Sequence, residues 1–136
     1  MLFTSYFANI KNIDPSYRIY NIATKQPDGC NFTSIKEFFP NNKTIWAYKN
    51  KEIDELEYTK RYMTETLSKI RDDDLVNLIT NITEEYTRKV VFVCYEKPDA
   101  FCHRHIVRHY LIDKYYTCFE YGSIDHKIND LILRTL

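Results

Sequence analysis

The 136 residues suffice for one domain and leave no room for a second core of useful size. Hydrophobic residues make up 44% and charged residues 28%, the balance of a chain that folds rather than stays disordered. Nineteen Lys and Arg offset nineteen Asp and Glu, for a formal net charge of +0, which disfavours strong coating of duplex nucleic acid and leaves only local basic patches.

Residues 2–7 (LFTSYF) suit a buried first strand, and residues 17–23 (YRIYNIA) alternate as a second after the Asp14-Pro15 turn. Residues 25–30 form a loop holding Pro27 and Gly29, and 33–39 one or two helical turns stopped by Pro40. Residues 41–50, with the only tryptophan, Trp46, read as a loop with aromatic plugs. Over 52–71, Ile53, Leu56, Met63, Leu67 and Ile70 share one helical face. A second helix follows Asp72-Asp73-Asp74 with Leu75, Leu78, Ile79 and Ile82 inward. The unbroken apolar run 90–95 is the pattern of a strand buried on both faces, hence a central parallel strand. Pro98-Asp99 makes a loop, 102–115 a helix, 117–121 a further strand and 127–136 a closing helix that groups Ile128, Leu131, Ile132 and Leu136. Alternating strands and helices predict a single α/β domain over 1–136, a small three-layer Rossmann-like unit with a mostly parallel sheet.

Four features bound the function. No apolar run approaches the roughly 20 residues that span a bilayer, and residues 1–7 lack the basic front of a signal peptide, so the expectation is a cytoplasmic protein with no membrane partner. Gly29 and Gly122 are the only glycines; they cannot build GxGxxG or a Walker A loop, so an anion site must rest on a helix N-terminus and side chains. Cys30, Cys94, Cys102 and Cys118 contain no CxxC pair, and in a reducing compartment all four are expected as thiols. Tyr, Ile, Lys and Asn are abundant and share AT-rich codons, which points to an AT-rich bacterium or its phage.

In parallel α/β sheets ligands bind beyond the carboxyl ends of the strands. Cys94 and Glu96 stand at such an end, and a short loop leads to Cys102, His103 and Arg104 at the next helix N-terminus. The packed face of that helix is set by Ile106, Val107, Tyr110 and Leu111. At 100° per residue, His103 falls near its centre and Arg104 on its edge, while His105 and His109 point to water. Singly, each residue has an ordinary structural role; five within eleven positions at one rim make a candidate site.

The segment VFVCYEKPDAFCHRHIV resembles the signature of the family called domain of unknown function 488, with a strand ending in Cys-x-Glu and a helix opening in Cys-His-Arg. The start LFTSYFANIKNI resembles that family's first strand, which carries a small hydroxyl residue near the ligand rim, and Glu120-Tyr121 is similar too. The resemblance implies site positions at Ser5, Tyr6, Cys94, Glu96, Cys102, His103 and Arg104, and implies a fold and a site more readily than a reaction.

Other patterns weigh less. Cys102 and Arg108 match the Cys-x5-Arg spacing of tyrosine phosphatases, but no glycine separates them and Arg108 turns away. His105 and His109 at i, i+4 lack an accompanying HExxH glutamate. Tyr6 and Tyr95 adjoin the site and suit stacking on a base.

Three readings follow. The first is an enzyme or enzyme-like pocket for a small anionic, phosphorylated or nucleotide-like ligand. Here Ser5, Tyr6, Cys94 and Arg104 bind, with Arg104 and the helix N-terminus holding the anion. Glu96 or His103 moves a proton, and Cys102, with a thiol pKa lowered by the helix dipole, serves as nucleophile. The second is a non-catalytic protein that sequesters the same ligand, as a phage countermeasure to nucleotide signals. The third is a zinc, iron or redox site at Cys94, Cys102 and His103, whereas the first two need no cofactor.

Overall fold

Strand β3 (Val90–Cys94) is buried at every position, because its apolar side chains have a helical layer on one side and a second cluster on the other. The computed structural model describes residues 1–97 and 99–136; of the expected Pro98-Asp99 loop, Pro98 lies outside the described residues. With β1 (Leu2–Tyr6), β2 (Arg18–Asn21) and β4 (Cys118–Glu120), β3 forms a four-stranded sheet of order β2-β3-β1-β4. All three pairings are parallel, so the sheet expected to be mostly parallel is wholly so. The register sets Tyr6 beside Cys94 and Thr4 beside both Phe92 and Glu120.

Alternation along the strands divides the core. Leu2, Val90, Phe92 and Cys94 meet the helices α2 (Glu55–Glu65), α3 (Asp72–Ile82) and α4 (His103–Asp113) through Tyr58, Tyr62, Leu75, Ile79, Val107 and Leu111. Phe3, Val91 and Val93 face the other way, against Ile13, Tyr17 and Phe119. His126 of α5 (Ile124–Thr135) adds its ring at 4.7 Å from Phe3. Each fully buried aliphatic or aromatic side chain contributes about 1.5–3 kcal/mol. The chain is thus a small three-layer, Rossmann-like α/β domain. No helix among the described residues is long and apolar enough to cross a membrane.

Two expectations fail. Residues 41–50 are not a loop: Asn41 accepts a hydrogen bond from the Lys43 amide at 2.8 Å and starts helix α1 (Asn42–Lys49). Thr44 and Ala47 face inward, and Trp46, far from plugging the core, is 64% exposed. Helix α2 is shorter than 52–71 and buries another face. Tyr58 and Tyr62 point inward, while Leu56 and Met63 are 62% and 49% exposed. Tyr62 can enter because its hydroxyl donates to the Phe38 carbonyl at 2.7 Å. The helix ends at Thr66, and a 3-10 turn (Leu67–Lys69) resets the phase so that Leu67 is buried. In α5 the residues Ile128, Leu131 and Ile132 are exposed, as is Leu136 just after it.

Candidate functional site

The site stands at the carboxyl ends of β2 and β3 and the start of α4. Cys94 is the last residue of β3 and Cys102 the N-cap of α4. Their sulfurs are joined. This corrects the expectation of four thiols: a strand end and the next helix start return the chain to one rim, bringing two cysteines eight positions apart together. The expected reactive Cys102 thiolate is therefore not a free group in this arrangement. Cys102 itself is buried, and its neighbour Phe101 packs on Tyr48 and Tyr58 with ring centres 5.3 and 5.2 Å away. Cys30 and Cys118 are free thiols. Burial pushes the Cys118 thiol up to about 12, so Cys118 should resist iodoacetamide in the native protein while half-buried Cys30 reacts. Peptide mass spectrometry checks this; a Cys118 that alkylates as fast as Cys30 would show that β4 opens readily.

His103 faces the sheet, as its helical phase predicts, and is buried. Its partner is built by the exit from β2. Asn21 donates to the Ala23 carbonyl at 2.7 Å and accepts from the Ala23 amide at 3.0 Å, while the Ile22 amide donates to Val93 at 3.1 Å. The Ile22 carbonyl thus meets His103 Nε2 at 2.7 Å. A carbonyl only accepts, so Nε2 carries the proton and Nδ1 keeps its lone pair, 3.9 Å from Cys102 Sγ. Burial pushes the His103 pKa down to about 4, leaving a neutral imidazole near pH 7. His109 is exposed as expected. His105 is not in water: it is half-buried, its Nε2 has no partner among the described residues, and burial lowers its pKa. The α4 face is wider than its apolar residues indicate.

That width comes from Arg104, expected on the edge of the packed face and in fact 0% exposed. Its Nε and Nη2 donate to the two carboxylate oxygens of Glu120 at 3.2 and 3.0 Å. Its Nη1 donates to the Glu96 carbonyl and lies 3.5 Å from Cys94 Sγ. The guanidinium covers the Tyr6 ring, 5.5 Å from its centre, and Thr4 Oγ1 donates to Glu120 at 2.6 Å. Arg104 therefore ties β1, β3, β4 and α4 together, and each of its nitrogens has a protein partner. The carboxylate opposite it is Glu120, not Glu96, whose own carboxylate is left at an exposed position. Glu120 was signalled only by its place in the family-like Glu120-Tyr121. Ser5 shares the opposite sheet face with Phe3 and accepts from Asn9 at 3.1 Å. Arg108 turns away to the Cys118 carbonyl at 3.0 Å.

A cavity of about 480 Å³ opens beside the strand ends. Of the expected site residues, Cys94, Glu96, Cys102 and His103 line it, whereas Tyr6 and Arg104 form the clamp behind it and Ser5 lies beyond the sheet. Sequence reasoning missed further contributors, among them Lys25 from the loop after β2 and Trp46, Tyr48 and Lys49 from α1. Lys49 reads from the sequence as ordinary solvated charge, and only the position of α1 brings it to the wall.

A wholly parallel sheet with polar groups gathered at its carboxyl edge defines an α/β domain of Rossmann-like type. Residues 8–115 match the family model described as "Active DUF488-N3 subclade". The chain belongs to the domain of unknown function 488 family. No curated protein and no solved structure matches it.

Proposed function

We propose that the cavity takes a small phosphorylated, nucleotide-like molecule and that the domain acts on it as an enzyme, with Glu96 moving the proton. The observation that carries this reading is the composition of the cavity lining. The aromatic residues Trp46, Tyr48 and Tyr95 line the cavity together with the cations Lys25 and Lys49 and, among the described residues, one carboxylate, Glu96. Aromatic faces stack on a base, ammonium groups hold phosphate, and a positioned carboxylate serves proton transfer during group transfer or hydrolysis. Lys25 and Lys49 take the anion-holding role first expected of Arg104. His103, neutral and fixed at Nε2, orients rather than ionises.

Calorimetry with a panel of nucleoside monophosphates, with inorganic phosphate as comparison, tests the binding half. Lys25→Ala and Lys49→Ala should each weaken the best-bound nucleotide by on the order of 1 kcal/mol, the worth of an exposed ion pair. Glu96→Gln should leave binding intact and lower turnover by roughly 10²–10⁴-fold, the usual yield of a positioned acid or base. Binding without any turnover by the unmodified protein would favour sequestration; no binding across the panel would remove the nucleotide reading.

A further inference from the structure

We propose that Cys94, Cys102 and His103, with both cysteines reduced, form a three-ligand site for a zinc ion whose fourth position faces the cavity. The two sulfurs and a ring nitrogen lie within 4.8 Å of one another, and all three residues are buried. Ligand atoms on one zinc sit roughly 3–4 Å apart, given Zn–S near 2.3 Å and Zn–N near 2.0–2.1 Å in a tetrahedron, so small side-chain rotations complete the set. The ligand types match, since thiolate and imidazole favour zinc over harder cations.

The surroundings are those of ligating groups. His103 donates Nε2–H to the Ile22 carbonyl at 2.7 Å and turns Nδ1 toward Cys102, the outer contact that fixes a ligating imidazole in its tautomer. Asn21 in turn holds the chain that carries this carbonyl. Arg104 Nη1, 3.5 Å from Cys94 Sγ, is placed to donate to a thiolate there. The backbone spacing also suits a shared ion in the reduced state. The Cα atoms of Cys94 and Cys102 are 7.6 Å apart, beyond the roughly 4.4–6.8 Å that disulfides span. A strand and a helix hold those two positions, and two thiolates around one ion accommodate the wider spacing.

The step balances without electron transfer. Two thiols release two protons, their sulfurs bond to Zn²⁺, and the two thiolate charges neutralise the ion. The joined cysteines are the two-electron oxidised, metal-free alternative, which a phosphine reductant converts to the dithiol. All three ligand residues line the cavity, so an oxygen of water or of a bound molecule completes the tetrahedron, as in Cys₂His catalytic zinc sites. The site stands whether or not the cavity takes a nucleotide.

The test uses untagged full-length protein, reduced with a phosphine, desalted without oxygen and titrated with Co²⁺. One cobalt per chain should bind, with a thiolate-to-cobalt charge-transfer band and tetrahedral visible bands that one equivalent of Zn²⁺ abolishes. Cys94→Ser or Cys102→Ser should weaken cobalt binding by roughly two orders of magnitude, and Cys118→Ser should not change it. Absence of the charge-transfer band, or its survival in Cys94→Ser, overturns the proposal. Should the serine variants not fold, the unmodified protein decides: zinc must protect Cys94 and Cys102, but not Cys30, from alkylation, and equal rates with and without zinc overturn it.

Discussion

Arg104→Ala should lower unfolding free energy by about 3–5 kcal/mol, the cost of stripping a buried charge of its partner. The guanidinium is wholly buried and the Glu120 side chain only 14% exposed, so the carboxylate cannot recover its hydration. The Glu96 carbonyl loses its partner as well. Arg104→Met with Glu120→Leu should restore much of the loss, because removing both charges leaves neither stranded. Urea midpoints at unchanged slope measure both effects. A single-variant loss under about 1 kcal/mol would mean that Arg104 is not a clamp and is free to meet a ligand.

His103→Ala should cost about 2–4 kcal/mol, combining a cavity beneath Tyr62 with an Ile22 carbonyl left buried and unpaired. His109→Ala should stay within about 0.5 kcal/mol, since that side chain is exposed. Thermal or urea unfolding of both variants gives the comparison. Equal losses would mean that the Ile22 contact does not hold the ring, and with it would go the fixed tautomer on which the site depends.

The sheet was readable because β3 is apolar at every position and nothing but a doubly covered strand needs that pattern. The placement of His103 followed from helical phase alone. The helix α1 was not readable, because its strongest signal, Trp46, is a large apolar residue that the fold leaves outside. In α2 the aliphatic residues drew attention from Tyr58 and Tyr62, and the inward turn of Tyr62 is matched by a carbonyl partner, Phe38, more than twenty positions earlier in the chain. Arg104 shows the same limit. A charged residue beside an apolar stripe is normally an edge group, and only the pairing of β4 with β1 delivers the Glu120 that lets it go inside. The joined cysteines belong to this class as well, since local spacing gave no CxxC and the return of the chain to one rim is a tertiary fact.

The strand order has a consequence for how the chain reaches this state. The first two strands never touch: β1 and β2 lie on opposite sides of β3, so Leu2 has no neighbour until Val90 and Cys118 are in place. No sheet can form from the first half alone, and the loop-closure entropy of every pairing with β3 falls due when that strand arrives. Such non-local assembly is intrinsically slow. Neither amino-terminal strand has a strand partner until residues beyond position 89 are available. Val90–Cys94 is the strand that both β1 and β2 pair with, so the segment that ends in the candidate site also joins the two halves of the sheet.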